Sequence, residues 1–171
     1  MPLYNKKARE ILSIKHTLSI TITSFNYGQY LEQCIESALK HTTDQIEILV
    51  LDNASTDKTT EVLNKYQSNR NIFIIKNTEN LGEFQNWING INLATGDYIC
   101  HLCADDYFTE TFINESLNAI KQHSPDVIFS KVIYRNEQTK TLNKYPHPLY
   151  RDWDAAAPQP VSPTVDDVVE V

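Results

Sequence analysis

Glycine is scarce, with only Gly28, Gly82, Gly90 and Gly96 in 171 residues. The chain therefore has neither a G-x-G-x-x-G dinucleotide fingerprint nor a phosphate loop ending in Gly-Lys, and an anionic ligand must be held without a glycine-rich cradle. Cysteine is rarer still: three residues cannot pair off and are too few for a disulfide scaffold, which fits a reducing, cytoplasmic setting. Basic residues number 15 against 22 acidic ones, a net charge of −7. That balance excludes a sequence-independent grip on nucleic-acid phosphates, so no nucleic-acid partner is expected. The lead-in, residues 1–17, has no uninterrupted apolar stretch of the kind a signal peptide or membrane span needs, because Lys6, Lys7, Arg9 and Lys15 break it up. Those same basic residues allow peripheral contact with the inner face of a membrane. No G-x-S-x-G elbow occurs, and His16, His41, His123 and His147 stand in no nucleophile and base arrangement, so nucleophilic hydrolase chemistry is unsupported.

The apolar pattern is rich by contrast. Leu18, Ile20 and Ile22 alternate with polar residues, Ile46–Leu51 is an apolar run with one charge, Glu47, and Ile72–Ile75 and Tyr98–Leu102 follow as further strands. Between them lie helical faces: Tyr30, Leu31, Cys34, Ile35, Ala38 and Leu39; then Val62, Leu63 and Tyr66, with Ser55 or Thr56 as the cap; then Phe84, Trp87, Ile88 and Ile91. Gly96 reads as a left-handed cap before the fourth strand. A helix over about 110–122 and a strand over Val127–Tyr134 complete the alternation. The pattern predicts an α/β fold, a mostly parallel sheet flanked by helices, spanning residues 18–134. Beyond it, residues 135–154 are a separate segment, and 155–171 form a Pro-rich acidic tail expected to be extended or disordered.

In parallel sheets ligands bind beyond the carboxyl ends of the strands. That rule selects Thr23-Ser24-Phe25-Asn26, Asp52-Asn53-Ala54-Ser55 and Cys103-Ala104-Asp105-Asp106. Two adjacent carboxylates at a sheet edge repel unless a cation sits between them, so Asp105 and Asp106 are candidate ligands for Mg²⁺ or Mn²⁺. Without a cation, one of them would cap the following helix and the other would be solvated. Asp52, ending an apolar strand, is placed to accept a hydrogen bond from a ribose or base, or else to form an Asp-Asn turn. Cys100 and Cys103 form a C-x-x-C only in name, because three positions apart on a strand they face opposite ways. The first strand ends without an acidic cluster, which disfavours a receiver-like or flavodoxin-like signalling domain.

Taken in order, these segments resemble the nucleotide-sugar-binding half of the family 2 inverting glycosyltransferases, which have the Rossmann-like GT-A fold. Residues 18–31 (LSITITSFNYGQYL) are similar to that family's opening strand and turn, and 46–57 (IEILVLDNASTD) to its second strand and Asp-rich turn. Asn80-Leu81-Gly82 resembles its Asn-x-Gly helix start, and 94–106 (ATGDYICHLCADD) its strand leading to the acidic metal motif.

The resemblance implies a nucleoside-diphosphate sugar donor, a divalent metal and single displacement by an acceptor hydroxyl, in polysaccharide or glycoconjugate synthesis. It implies that Thr23 and Phe25 lie against the nucleobase, that Asp52 bonds the base or ribose, and that Asp105 binds the metal with Asp106 beside it. Cys103 stands where the first Asp of the family's D-x-D is usual, Asn53-Ala54 replaces Asp-Gly, and Trp87-Ile88 replaces Arg-Asn. No residue matches the acceptor-side acidic motif that carries the catalytic base, and Arg151-Asp152-Trp153-Asp154 comes too soon after the last strand to be its Gln/Arg-rich partner. A non-catalytic nucleotide-sugar-binding fragment is therefore the alternative reading.

Overall fold

A computed structural model describes residues 16–130, 132–135, 138–139, 142–144 and 168–170. Alternating β and α segments give strand β1 (Leu18–Ser24), helix α1 (Gly28–Leu39), β2 (Ile46–Asp52), α2 (Thr59–Asn64), β3 (Ile72–Lys76), α3 (Glu83–Leu93), β4 (Tyr98–Cys103) and α4 (Phe112–His123). Strands β1 to β4 form one sheet in the order β3-β2-β1-β4, and every pair is parallel. The two central strands are covered on both faces. All seven residues of β2 are buried, which is why the sequence there is nearly continuous in Ile, Leu and Val. The chain builds outward from β1 to β3, then crosses over to place β4 on the other side of β1. That reversal makes a switch point between β1 and β4, where loops from adjacent strands part and leave room for a ligand.

Glu47, the one charge inside the apolar run of β2, is fully buried. Its Oε1 accepts hydrogen bonds from Ser19 Oγ at 2.5 Å, Thr95 N at 2.6 Å and Thr95 Oγ1 at 2.9 Å. Ser19 Oγ in turn accepts from Gly96 N at 2.8 Å. A buried carboxylate is tolerable only when several donors face it, and here they come from β1 and from the turn before β4. Gly96 is required by that close approach: a Cβ on it would stand 2.7 Å from Ser19 N and Oγ. It is not the left-handed cap expected from its position, because α3 closes at an extended Ala94.

Helix α3 departs furthest from its sequence pattern. The stripe of Phe84, Trp87, Ile88 and Ile91 does not form its inward face; Phe84 is 68% exposed, and Asn86 and Gly90 are the buried residues. Gly90 lets the helix approach so closely that a Cβ would lie 3.2 Å from Leu51 Cδ1 and from Thr21 Cβ. Neither Ser55 nor Thr56 caps α2. That part falls to Asp57, whose Oδ1 accepts from Thr59 N at 2.9 Å and from Thr59 Oγ1 at 2.5 Å.

The described residues fall into two units divided after Ile113. In the second unit the expected strand Val127–Tyr134 is two short ones, β5 (Val127–Phe129) and β6 (Ile133–Arg135). Ser130 and Lys131 interrupt its apolar run, and both halves are largely exposed. Strand β6 pairs antiparallel with β7 (Leu142–Lys144), and β5 pairs parallel with β8 (Val168–Glu170). The end of the acidic tail is thus strand-paired, consistent with its β-branched Val168 and Val169. Residues 155–167 and the basic lead-in 1–15 lie outside the described residues.

Candidate active site

The parallel register aligns the strand ends. Thr23 of β1 stands opposite Cys103 of β4, Ser24 opposite Asp52 of β2, and Asp52 opposite Lys76 of β3. Ala104 N donates to Thr23 O at 3.1 Å, and Asp106 N donates to Cys103 O at 3.0 Å, so the chain turns immediately after β4 and leaves both aspartates exposed. A cleft of about 470 Å³ opens there. Thr23, Ser24 and Phe25 line one side of it, Cys103, Asp105 and Asp106 another, and Asn53, Asn80 and Glu83 a third.

Four of the five residues selected from the sequence meet in this cleft: Thr23, Phe25, Asp105 and Asp106. Phe25 is 40% exposed and lines the cleft. Asp52 is placed differently. It is 3% exposed, is not part of the lining, and its Oδ1 accepts from Ser55 N at 3.0 Å, the turn-forming role open to any Asp-Asn pair.

One sulfur and two carboxylates come together after β4. Cys103 Sγ and one carboxylate oxygen each from Asp105 and Asp106 lie within 4.8 Å of one another. Burial and the neighbouring Asp105 raise the Asp106 pKa. Burial also raises that of Cys103, and Asp106, Asp105 and Glu83 push it the same way. A dense set of donor atoms whose mutual repulsion is unrelieved by any cationic side chain in the lining fits a divalent cation. Ser24 lines the same cleft, and its Oγ is buried without a hydrogen-bond partner.

The loop before α3 is held by an amide network that sequence reasoning missed. Asn53 Nδ2 donates to Asn80 Oδ1 at 2.8 Å and to Gly82 O at 3.2 Å, while its Oδ1 accepts from Leu81 N at 3.0 Å and Asn77 Nδ2 at 2.9 Å. Asn77 Nδ2 also reaches Asn86 Oδ1 at 2.9 Å, and Asn86 Nδ2 donates to Leu51 O at 3.1 Å. The recurrence of Asn at 53, 77, 80 and 86 was the available signal.

His101 was also missed. Its Nδ1 lies 3.1 Å from Thr21 Oγ1, its Nε2 3.4 Å from Thr23 Oγ1 and 3.8 Å from Cys103 Sγ, and its ring packs 5.4 Å from Trp87. Burial lowers its pKa, against a smaller opposing pull from Glu83.

The turn after β1 is tied to the turn after β2. Asn26, at φ 57°, donates from its N to Ser55 Oγ at 2.9 Å and accepts at Oδ1 from Thr56 N at 2.8 Å. Gly28 N donates to Asp57 Oδ2 at 2.9 Å. A larger hollow of about 550 Å³, between α1 and residues 107–110, is spanned by the Lys40–Glu110 ion pair at 2.8 Å. It contains none of the strand-end residues, so the smaller cleft is the candidate site.

A parallel α/β sheet whose cleft opens at the switch point, with an acidic cluster after the strand that flanks it, is an arrangement in which α/β proteins hold ligands beyond the strand ends. Residues 19–165 match the sequence profile of glycosyl transferase family 2, and the chain belongs to that family. It is 31% identical over 129 residues to the glycosyltransferase GlyG of Streptococcus pneumoniae, a match covering 75% of this chain and 42% of that protein. The chain spans less than half the length of the first curated relatives it matches. Among solved structures, S. aureus TarS 1-349 in complex with UDP-GlcNAc superposes with a TM-score of 0.67 at 20% identity, over 79% of this chain and 38% of that one. The mannosyltransferase PcManGT from Pyrobaculum calidifontis, in complex with GDP-Man and Mn²⁺, does so at 0.61 and 17% identity, over 70% and 36%. The fold is the GT-A arrangement expected from the sequence. No helix among the described residues is long and apolar enough to cross a membrane.

Proposed function

We propose that this chain is the donor-binding part of a metal-dependent, inverting glycosyltransferase that takes its sugar from a nucleoside-diphosphate sugar on the cytoplasmic side of the membrane, for polysaccharide or glycoconjugate synthesis. The observation that carries the reading is the meeting of Thr23 and Phe25 with Cys103, Asp105 and Asp106 around one cleft at the switch point. Phe25 presents an exposed ring on which a nucleobase stacks, and Thr23 supplies a hydroxyl beside it. Asp52 is buried outside the cleft lining with Oδ1 held by Ser55 N, so the base or ribose contact that the family resemblance implies for it falls to its second oxygen. Asp105 and Asp106 hold a divalent cation, Mg²⁺ or Mn²⁺ in the ordinary family pattern, with Cys103 beside them. When bound, that ion neutralises the diphosphate and so stabilises it as a leaving group. The acceptor hydroxyl, a sugar or lipid-linked one, would give up its proton to a base on the acceptor side as its oxygen attacks the anomeric carbon from the face opposite the nucleoside diphosphate, which leaves with the bonding pair, so that the configuration inverts.

A second reading, a nucleotide-sugar-binding unit without turnover, draws support from one observation. The carboxylates lining the cleft are Glu83, Asp105 and Asp106, two of them committed to the cation, and none belongs to an acceptor-side acidic motif. Calorimetric titration with UDP-, dTDP- and GDP-sugars, with and without Mn²⁺, tests both. Metal-dependent binding that weakens roughly tenfold or more in Asp105→Ala supports the donor site. Donor hydrolysis by the same samples supports a transferase and its absence the binding unit, whereas no binding under any condition overturns both.

A further inference from the structure

The side chain at the start of the acidic cluster is a thiol, and this changes the chemistry of the set. Cys103 Sγ stands within 4.8 Å of carboxylate oxygens of both Asp105 and Asp106. Cys103 lies in β4, paired in register with Thr23, so its position is fixed by the sheet, whereas both aspartates are exposed and close on a shared ion by rotating their own side chains. Ser24 also lines the cleft, but its Oγ is buried and strand alternation turns it to the face opposite Thr23 and Cys103, so it is not among the donors. The set on offer is therefore one sulfur and at least two carboxylate oxygens, one from each aspartate.

From this donor set we infer that the site selects borderline, sulfur-tolerant divalent ions, Zn²⁺ and Co²⁺ ahead of Mn²⁺, and Mn²⁺ ahead of Mg²⁺, with Cys103 as a direct ligand. Mg²⁺ demands oxygen donors in near-octahedral array and gains nothing from a thiolate. Zn²⁺ and Co²⁺ sit higher in the divalent series and bind thiolate strongly, with a metal–sulfur distance of about 2.3 Å for zinc. On coordination the Cys103 thiol gives up its proton to solvent, and the sulfur takes one position while Asp105 and Asp106 take two. Diphosphate oxygens of the donor and water complete the shell. Cys34 and Cys100 do not compete. Cys34 is fully buried with its Sγ donating to Cys103 O at 3.5 Å, and the Cys100 Sγ is directed to His101 O at 3.9 Å.

The inference rests on the donor-site reading, and the test separates the two. The full chain is titrated with Co²⁺, Zn²⁺, Mn²⁺ and Mg²⁺ by calorimetry, each with and without UDP or GDP, and the cobalt form is followed by absorption spectroscopy. The expected result is a thiolate-to-cobalt charge-transfer band in the wild type and in Cys100→Ser that is lost in Cys103→Ser. Zn²⁺ is expected to bind roughly tenfold or more tighter than Mg²⁺ in the wild type, a preference that narrows in Cys103→Asp, where only oxygen donors remain. Metal binding that Asp105→Ala abolishes, but with no such band in the wild type and the same ion preference in Cys103→Ser, overturns the inference and leaves the donor site standing. Failure of every ion to bind, with nucleotide or without, overturns both. The wild-type spectrum decides the matter even if a variant folds poorly, and circular dichroism identifies that case.

Discussion

The Nε2 of His101 stands 3.4 Å from the Oγ1 of Thr23, so the threonine that lines the cleft is held by a side chain from the neighbouring strand. Nδ1 engages Thr21 in the same way, and burial keeps the ring neutral, against a smaller pull from Glu83. His101→Phe preserves an aromatic ring against Trp87 but removes both contacts. Thr21 retains Cys100 O as an acceptor at 3.5 Å, so the cost falls mainly on Thr23. Loss of one such bond is worth about 1 kcal/mol. Donor affinity, measured by calorimetry, is expected to fall about fivefold in His101→Phe, and an unchanged affinity would remove His101 from the positioning of Thr23.

Asp57 joins the first turns of two helices, accepting from Thr59 at the start of α2 and from Gly28 at the start of α1. Burial is the largest single influence and raises its pKa, but the hydrogen bonds from Thr59 and Gly28 together outweigh it and the net shift is downward. A carboxyl with a folded-state pKa below the unfolded value stabilises fully above that value, about 3.9, and loses the contribution as pH falls through the folded one. The stability advantage of wild type over Asp57→Asn, read from urea unfolding at stepped pH, is therefore expected to be constant near neutrality and to shrink below about pH 4. Asp57→Ala is expected to cost about 1 kcal/mol at pH 7 through the lost cap.

The strand ends were legible because the sheet is buried: Ile46–Leu51 could lie nowhere else, and the polar residue that stops such a run marks the ligand-facing edge. Asp105 and Asp106 followed from the same rule, as did Thr23 and Phe25. What periodicity could not read was the inward face of α3. Hydrophobic spacing assigns Phe84, Trp87 and Ile91 to the core, yet the helix packs through Gly90, which permits close approach, and Asn86, which bonds Leu51 O. Neither signal is apolar. Asp52 stayed open between two roles for a related reason, since a strand-ending aspartate can serve a ligand or its own turn, and in the structure Ser55 N holds one of its oxygens.

Glu47 looked like a blemish in an apolar run and instead fastens β1, β2 and the turn before β4. Removing it leaves Ser19 Oγ and the Thr95 donors without their shared acceptor, beside a His16 ring whose Nδ1 stands 3.7 Å from Glu47 Oε2. Glu47→Ala is expected to destabilise by about 3–5 kcal/mol in denaturant unfolding, because one partner of a buried charged network is lost. Ser19→Ala, which deletes a single donor to the carboxylate, is expected to cost about 1–3 kcal/mol. Equal and small effects from the two would mean that the carboxylate is not held as described.

Asn53 stands where the resembling family has aspartate, and its environment here accepts only the amide. The backbone fixes the orientation: Leu81 N needs an acceptor and finds Oδ1, while Gly82 O needs a donor and finds Nδ2. A carboxylate would keep the first contact and turn its second oxygen on Gly82 O and Asn80 Oδ1, two acceptors, in a pocket where the side chain is almost fully buried. Asn53→Asp therefore loses two hydrogen bonds and gains repulsion, at a cost of about 2–3 kcal/mol. Because Asn80 and Gly82 line the cleft, donor binding is expected to weaken together with stability. Asn53→Ala, which leaves the same groups unpaired without the charge, is expected to lie between the two proteins. A return to aspartate that raised melting temperature or donor affinity would show that this network is not what holds the loop before α3.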